Sequence, residues 1–312
     1  MKAIVIHQYG GPEVLTLEQV PIPTPSSGEV LIKVHAVSIN PVDFKRRRGW
    51  ANQPLPVILG WDVSGVVTAL GEGVTDFKVG DAVFGMIRFP LEGRAYAEYV
   101  TAPVTDIALK PDTLSHIEAA ALTLAPLTAY QAFETLKLEA GQTVLIHAAA
   151  GGVGHFAVQL AKARGAKVIG TASSRNRDFV LGLGADHFVD YHAQPFEEQV
   201  LEWTGGAGVD AVLDGVSVDN QTRSYAVLKP GGVLVSIVGP PPALEGFRER
   251  SLRATNILVH PSREHLEYFS RLVESGQLKP HISQTFPLEQ VADAHRTLET
   301  GRTVGKIVLE VG

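Results

Sequence analysis

The spacing of apolar and polar positions changes partway along the chain. Residues 1 to 120 give short β-like apolar runs, Ala3 to Ile6, Glu29 to Val37 and Val63 to Leu70, set between Pro- and Gly-rich turns such as PIPTPSSG and LGEGVTDFKVGD. This pattern predicts a small β-rich or barrel-like unit. From about Leu124 the pattern alternates between strand and helix: Thr143 to Ala148, Val153 to Arg164, Lys167 to Thr171, Arg177 to Gly182, His187 to Asp190, Phe196 to Trp203, Ala211 to Asp214, Asn220 to Leu228 and Gly232 to Val238. Such alternation predicts parallel βαβ units with right-handed crossovers, a doubly wound α/β sheet of about six strands. Beyond about His260 two helical patterns, in SREHLEYFSRLVESGQLKP and LEQVADAHRTLETG, precede a closing strand in GKIVLEV. The expected organisation is therefore a doubly wound domain over residues 124–260, inserted in a β-rich domain formed by 1–123 and 261–312.

Composition agrees with two domains, since 312 residues with 45% hydrophobic content can bury a large core yet exceed the usual size of one domain. A net charge of -6 leaves no basic footprint for nucleic acid or an anionic membrane. There is no cysteine, which excludes disulfides, thiolate metal sites, a cysteine nucleophile and iron–sulfur clusters. Neither a secretory signal pattern at MKAIVIHQYGG nor a run of about 18 apolar residues is present, so the expectation is a soluble, cytoplasmic protein.

The segment VLIHAAAGGVGHFAVQLAKARGAKVIGTASSRNRD places Gly151, Gly152, Val153 and Gly154 between a strand and a helix. There the helix can present free N–H groups and its positive dipole end to a pyrophosphate. Gly151 would admit backbone close to the phosphates and Gly154 would allow close helix–strand packing. Ala149 occupies the first glycine position of the G-x-G-x-x-G frame. An NAD site usually carries an acid about 20 residues further on. Here Ser173, Ser174, Arg175, Asn176 and Arg177 stand instead, and two guanidinium groups with two hydroxyls suit a 2′-phosphate, favouring NADP(H). The alternative for Arg175 and Arg177 is a solvated helix start.

These stretches, with LKPGGVLVSI, MKAIVIHQYGGPEVL and GEVLIKVHAVSINPVDFKRRRG, resemble the zinc-free quinone oxidoreductase and enone reductase branch of the medium-chain dehydrogenase/reductase superfamily, over nearly the whole chain. The resemblance implies a Rossmann domain inserted in a GroES-like β-barrel catalytic domain, a homodimer, and metal-free hydride transfer from NADPH to a small quinone or α,β-unsaturated carbonyl. Zinc alcohol dehydrogenases of the superfamily have Gly-His-Glu after a ligand cysteine, whereas this chain has Gly60-Trp61-Asp62 and Asn40. No metal site is expected.

Without a Lewis acid, charge on a substrate oxygen needs hydrogen bonds or a cation. The resemblance implies this role for Asn40 and Lys45, with Lys45 in the enone-reductase form; the alternative is that KRRRG is a solvated basic turn, a description that suits Arg46 to Arg48. It also implies cofactor contacts at Thr128, Tyr191 (beside the 2′-phosphate), Val238 and Gly239 (by backbone), and Gly305 and Lys306. His147 and His155, beside the glycines, are read as packing residues. Trp50, Trp61 and Met86 to Pro90 are either acceptor-lining or core. A non-enzymatic NADPH-binding structural or regulatory protein is the runner-up, disfavoured by the Asn40 and Lys45 pair, which pure binding would not require.

Overall fold

The computed structural model describes residues 1–242 and 246–312, which form two compact units, Met1–Leu127 with His260–Gly312, and Thr128–Val259. Unit 1 opens with β1 (Lys2–Ile6), β2 (Thr16–Gln19), β3 (Glu29–Ile39), α1 (Pro41–Arg47), β4 (Val57–Ile58), β5 (Asp62–Leu70), β6 (Ala82–Met86), β7 (Tyr99–Pro103), β8 (Ile107–Leu109) and α2 (His116–Ala121). The division falls inside α3 (Leu124–Leu136).

Unit 2 follows with β9 (Thr143–Ile146), α4 (Gly154–Ala163), β10 (Lys167–Ala172), α5 (Arg177–Gly182), β11 (His187–Asp190), α6 (Phe196–Trp203), β12 (Val209–Asp214), α7 (Val218–Ser224), β13 (Leu228–Ser236) and β14 (Arg253–Asn256). Its six strands pair in parallel in the order β11-β10-β9-β12-β13-β14, the doubly wound sheet that the alternation predicts. The strand order reverses between β9 and β12, so the carboxyl ends of these two strands flank the topological switch point where such sheets bind ligands. Central strands such as TVLI are buried throughout, as helices on both faces require.

The chain then returns to unit 1 through α8 (Arg263–Glu274), β15 (Ile282–Pro287), α9 (Val291–Glu299) and β16 (Lys306–Glu310). The closing strand β16 lies between β15 and β3, pairing Ile307 with Ile39 antiparallel to β3. The barrel-like unit is built from this seven-stranded sheet and a three-stranded one, β2-β1-β4. Alternating positions of β3, β5 and β16, including Val30, Ile32, Val34, Val63, Val67, Ile307 and Leu309, fill its apolar core.

Candidate functional site

In unit 2 the predicted cofactor residues from separate segments come to the carboxyl edge of the sheet. The turn after β9 carries Ala148 at φ +52°, a left-handed conformation unfavourable for alanine, and leads directly into α4. A Cβ on Gly154 would lie 2.1 Å from the Ala148 carbonyl oxygen, so only glycine allows this approach; Gly151 is less constrained, its nearest such contact being 3.2 Å. Ala149 fits the first position of the frame because Gly170 faces it from β10. A Cβ there would come within 3.0 Å of the Ala149 methyl carbon. The Ala149 N–H donates to the Thr171 carbonyl at 2.9 Å, holding the turn against β10. At the start of the 10-residue α4 the His155 and Ala157 N–H groups donate to the Gly151 and Val153 carbonyls at 3.0 and 2.9 Å, so the turn continues directly into the helix, whose positive dipole end faces this edge of the sheet.

Parallel register pairs Ala172 with Asp190, so Ser173 and Tyr191 leave adjacent strands side by side. Ser174, Arg175, Arg177 and Tyr191 are exposed, and the Arg177 guanidinium lies 5.5 Å from the centroid of the Phe188 ring. At the next strands Asp214 pairs with Ser236. The strand expected to reach Val238 ends at Ser236, because the Val238 N–H turns back to donate to the Ser236 hydroxyl at 3.2 Å. Gly239 follows at φ +145°. Thr128 is buried in α3. Sequence reasoning missed the loop Gly215–Ser217 after β12, with Val216 and Val218 exposed around it; only the change of strand order identifies this place, and that requires the topology.

His147 and His155 are packing residues, as expected. Buried His147 bridges the Thr171 and Ser224 hydroxyls at 3.2 and 2.9 Å, and burial, with the positive charge of Arg223, pushes its pKa down to about 3. A ring nitrogen of His155 is 2.9 Å from the Gly151 carbonyl oxygen.

Unit 1 does not present Asn40 and Lys45 as a matched pair. Asn40 caps α1 with a reciprocal Asp43 contact, its N–H donating to the carboxylate at 2.5 Å, and Pro41 occupies the first helical position. The Asn40 side chain is only 1% exposed: Nδ2 donates to Asp62 at 2.8 Å and Oδ1 accepts from the Lys306 ammonium at 2.5 Å. Lys45 points outward on α1 and is exposed.

Lys306 is 3% exposed and also donates to the Ile39 carbonyl at 3.2 Å, with Asp62 4.0 Å away. Preceding it, Gly305 holds φ +67° with the His281 carbonyl oxygen 2.3 Å from where a Cβ would stand. Asp62 additionally accepts from the Leu124 N–H at 3.1 Å. Burial raises the Asp62 carboxyl and lowers the Lys306 ammonium, while each one's charge opposes the other's shift. Asp43 is pushed up to about 8, chiefly by burial and further by the Asp62 charge, against the opposing effects of the Asn40 N–H and the Lys306 ammonium.

The basic stretch is not a solvated turn. Arg47 is fully buried, bonded to the Gly10 carbonyl at 3.1 Å, to Nδ1 of His295 at 3.0 Å and to Glu299. Arg46 is buried too, donating to Gln53 and to the Pro90 carbonyl beneath Trp50 and Trp61. Only Arg48 is exposed among the three arginines. Trp61, Met86, Ile87 and Phe89 are core, whereas Trp50 is half exposed.

Asn40 and Trp61 stand where the zinc pattern would have its cysteine and histidine, and the neighbouring Asp62 carboxylate is already bonded to the Asn40 amide and close to the Lys306 ammonium, a set that does not fit a metal ion. Among the described residues no group of three or more His, Asp or Glu is arranged to hold one.

Two family models match the chain: an alcohol dehydrogenase GroES-like domain over residues 26–112 and a zinc-binding dehydrogenase over residues 183–309. The chain is 38% identical to 2-methylene-furan-3-one reductase of Solanum lycopersicum, over 99% of this chain and 79% of that protein. It is 34% identical to quinone oxidoreductase of Rattus norvegicus, over 99% of this chain and 97% of that one. Its fold matches the structure of Escherichia coli quinone oxidoreductase complexed with NADPH at a TM-score of 0.91 and 32% identity, covering 99% of this chain and 100% of that one.

Proposed function

Because the chain belongs to the medium-chain dehydrogenase/reductase superfamily, in its zinc-free quinone oxidoreductase branch, we propose that it is an NADPH-dependent reductase of quinones or α,β-unsaturated carbonyls. The observation that carries the cofactor assignment is the carboxyl edge of the parallel sheet. There a glycine-dependent turn lies in the same unit as a strand end bearing Arg175 and Arg177 with no acid between Ser173 and Arg177. NADPH, when bound, supplies hydride to the acceptor. On this reading unit 2 is the nucleotide-binding domain and unit 1 the catalytic domain.

Ala149, Gly151, Gly152, Val153 and Gly154 form the turn that receives the pyrophosphate; the Ala149 and Gly151 N–H groups, bonded to the Thr171 and Ala148 carbonyls, shape the turn rather than contact the ligand. Ser173, Ser174, Arg175, Arg177 and Tyr191 hold the 2′-phosphate, while Thr128 and the backbone of Val238 and Gly239 serve the nicotinamide end. Lys45, an exposed ammonium, stabilises negative charge on the acceptor oxygen. Asn40 and Lys306 act as positioning residues that fix the start of α1, a role that their burial supports better than direct contact with acceptor or cofactor. The second reactant is a small quinone or an enone, the latter matching the conjugated ketone in the name of the tomato relative. The exposed edge strand β14 supports a homodimer, since an unpaired edge is a template for a second copy. No helix among the described residues is long and apolar enough to cross a membrane, and a chain without cysteine suits the reducing cytoplasm.

The test is Lys45→Ala in stopped-flow NADPH oxidation with a quinone or an alkenone. We expect kcat to fall about 10- to 1000-fold with NADPH affinity little changed, because the interaction is stronger in the transition state. Arg48→Ala is the control, since buried Arg47 cannot be removed without disturbing α9. An unchanged rate at saturating NADPH removes Lys45 from the mechanism.

A further inference from the structure

Beneath the carboxyl ends of β12 and β13 lies a hydrogen-bonded group that the proposed chemistry does not use. Asp214, Gln221 and Ser236 are each fully buried. The Gln221 amide nitrogen donates both to Asp214 Oδ2 at 3.1 Å and to Ser236 Oγ at 2.9 Å, joining the ends of the two strands. Each of those acceptors in turn holds the loop that follows it. Asp214 Oδ1 accepts from the Val216 N–H at 3.3 Å and from Asn220 Nδ2 at 2.8 Å. Ser236 Oγ accepts from the Val238 N–H at 3.2 Å. One amide thus connects the loop at the switch point, Gly215–Ser217, to the turn at Val238–Gly239.

Packing alone does not call for an amide here. The Gln221 carbonyl oxygen is buried with no hydrogen-bond partner among the described residues, a cost that an apolar side chain at this position would not carry. What the amide nitrogen adds is geometric specificity, because a buried polar link admits only one spacing of its partners. We propose that Gln221 is a positioning residue for the nicotinamide half of the dinucleotide, fixing the loop after β12 and the turn after β13 relative to each other without touching the ligand. The proposal rests on the NADPH reading given above.

The adenosine half depends on a different edge of the sheet, Ser173 to Arg177 and Tyr191 on β10 and β11, and this separation supplies the test. Binding of NADPH and of 2′,5′-ADP, which carries only the adenosine 2′-phosphate half, is measured by calorimetry for the unmodified protein, Gln221→Leu and Ser236→Ala. Ser236→Ala removes the same link with a smaller change of volume, should Gln221→Leu fold poorly. We expect the Kd for NADPH to rise about tenfold and that for 2′,5′-ADP to stay within about twofold, as for loss of one buried hydrogen bond acting on one half of the ligand. Equal weakening of both ligands, or of neither, overturns the proposal. Failure of the unmodified protein to bind 2′,5′-ADP overturns the cofactor reading and this proposal with it.

Discussion

Unit 1 buries ionisable side chains drawn from segments far apart in sequence, whereas unit 2 keeps Arg175 and Arg177 in solvent beside a backbone turn that leads from β9 into α4. In unit 1, Asp43, Asp62, Lys306 and Arg47 are all withdrawn from water, so each depends on its partners for survival of the fold. In unit 2 the groups assigned to ligand contact are supported from below by β9 and β10, and their charges are free to meet a ligand. The difference teaches that a buried charge near a site and an exposed charge at a site have different jobs: the first specifies geometry, the second binds.

Substitutions can break that contrast. The largest effect is expected for Lys306→Met, which leaves Asp62 as a buried carboxylate without its cation and should lower stability by about 3–5 kcal/mol in urea unfolding. Lys306→Met combined with Asp62→Asn should regain much of the loss, because the uncompensated charge is gone. If the single substitution is as stable as the parent, the ammonium is not the cation that holds this cluster. In unit 2, by contrast, Arg175→Ala with Arg177→Ala should weaken NADPH binding by about 2–3 kcal/mol, the scale of lost charge-assisted hydrogen bonds, while NADH binding and the urea midpoint hardly move. Equal affinity of the unmodified protein for NADH and NADPH would refute the assignment of these arginines.

Acid sharpens the comparison by showing where the units agree. Each buries a neutral histidine, His147 in unit 2 and His295 in unit 1, with burial as the main reason that its pKa falls to about 3. Below the ordinary value of 6.5 the unfolded chain takes up a proton that the folded protein refuses. Stability should therefore be lost as pH falls from about 6.5 towards about 3, by about 1.4 kcal/mol per pH unit for each histidine. Urea midpoints of His147→Asn and His295→Asn between pH 7 and pH 5.5 check this; a slope as steep in either variant as in the parent means that the histidine does not contribute.

The contrast also explains what was legible in sequence. In unit 2, α5, β11 and α6 have their expected bounds, and Gly154 meets the steric need inferred from the fingerprint, because both signals are local. β13 starts at Leu228, earlier than expected, since Lys229-Pro230-Gly231 reads as a turn yet continues the strand across a register shift opposite Val209 and Ala211. β14, with the sequence RATN, has no apolar pattern to announce it. In unit 1 the basic run masks the helix signal of Asn40, Pro41 and Asp43, and nothing local shows that Arg47 meets His295, 248 positions away. The resemblance identified Asn40 and Lys306 separately; their mutual bond is a product of topology.

The place of β16 has a consequence for the order in which the protein is made. Unit 2 is one uninterrupted stretch, Thr128–Val259, so all its strands are available as soon as that stretch leaves the ribosome. Unit 1 must wait for its closing strand, because Asn40 receives the Lys306 ammonium from 266 positions downstream. Unit 2 can therefore fold before the chain that completes unit 1 has been made. Long-range closure of this kind is slow compared with local βαβ assembly. Chain order thus lets unit 2 complete its strands first, whereas the bond between Asn40 and Lys306 in unit 1 forms only after the last strand has been made.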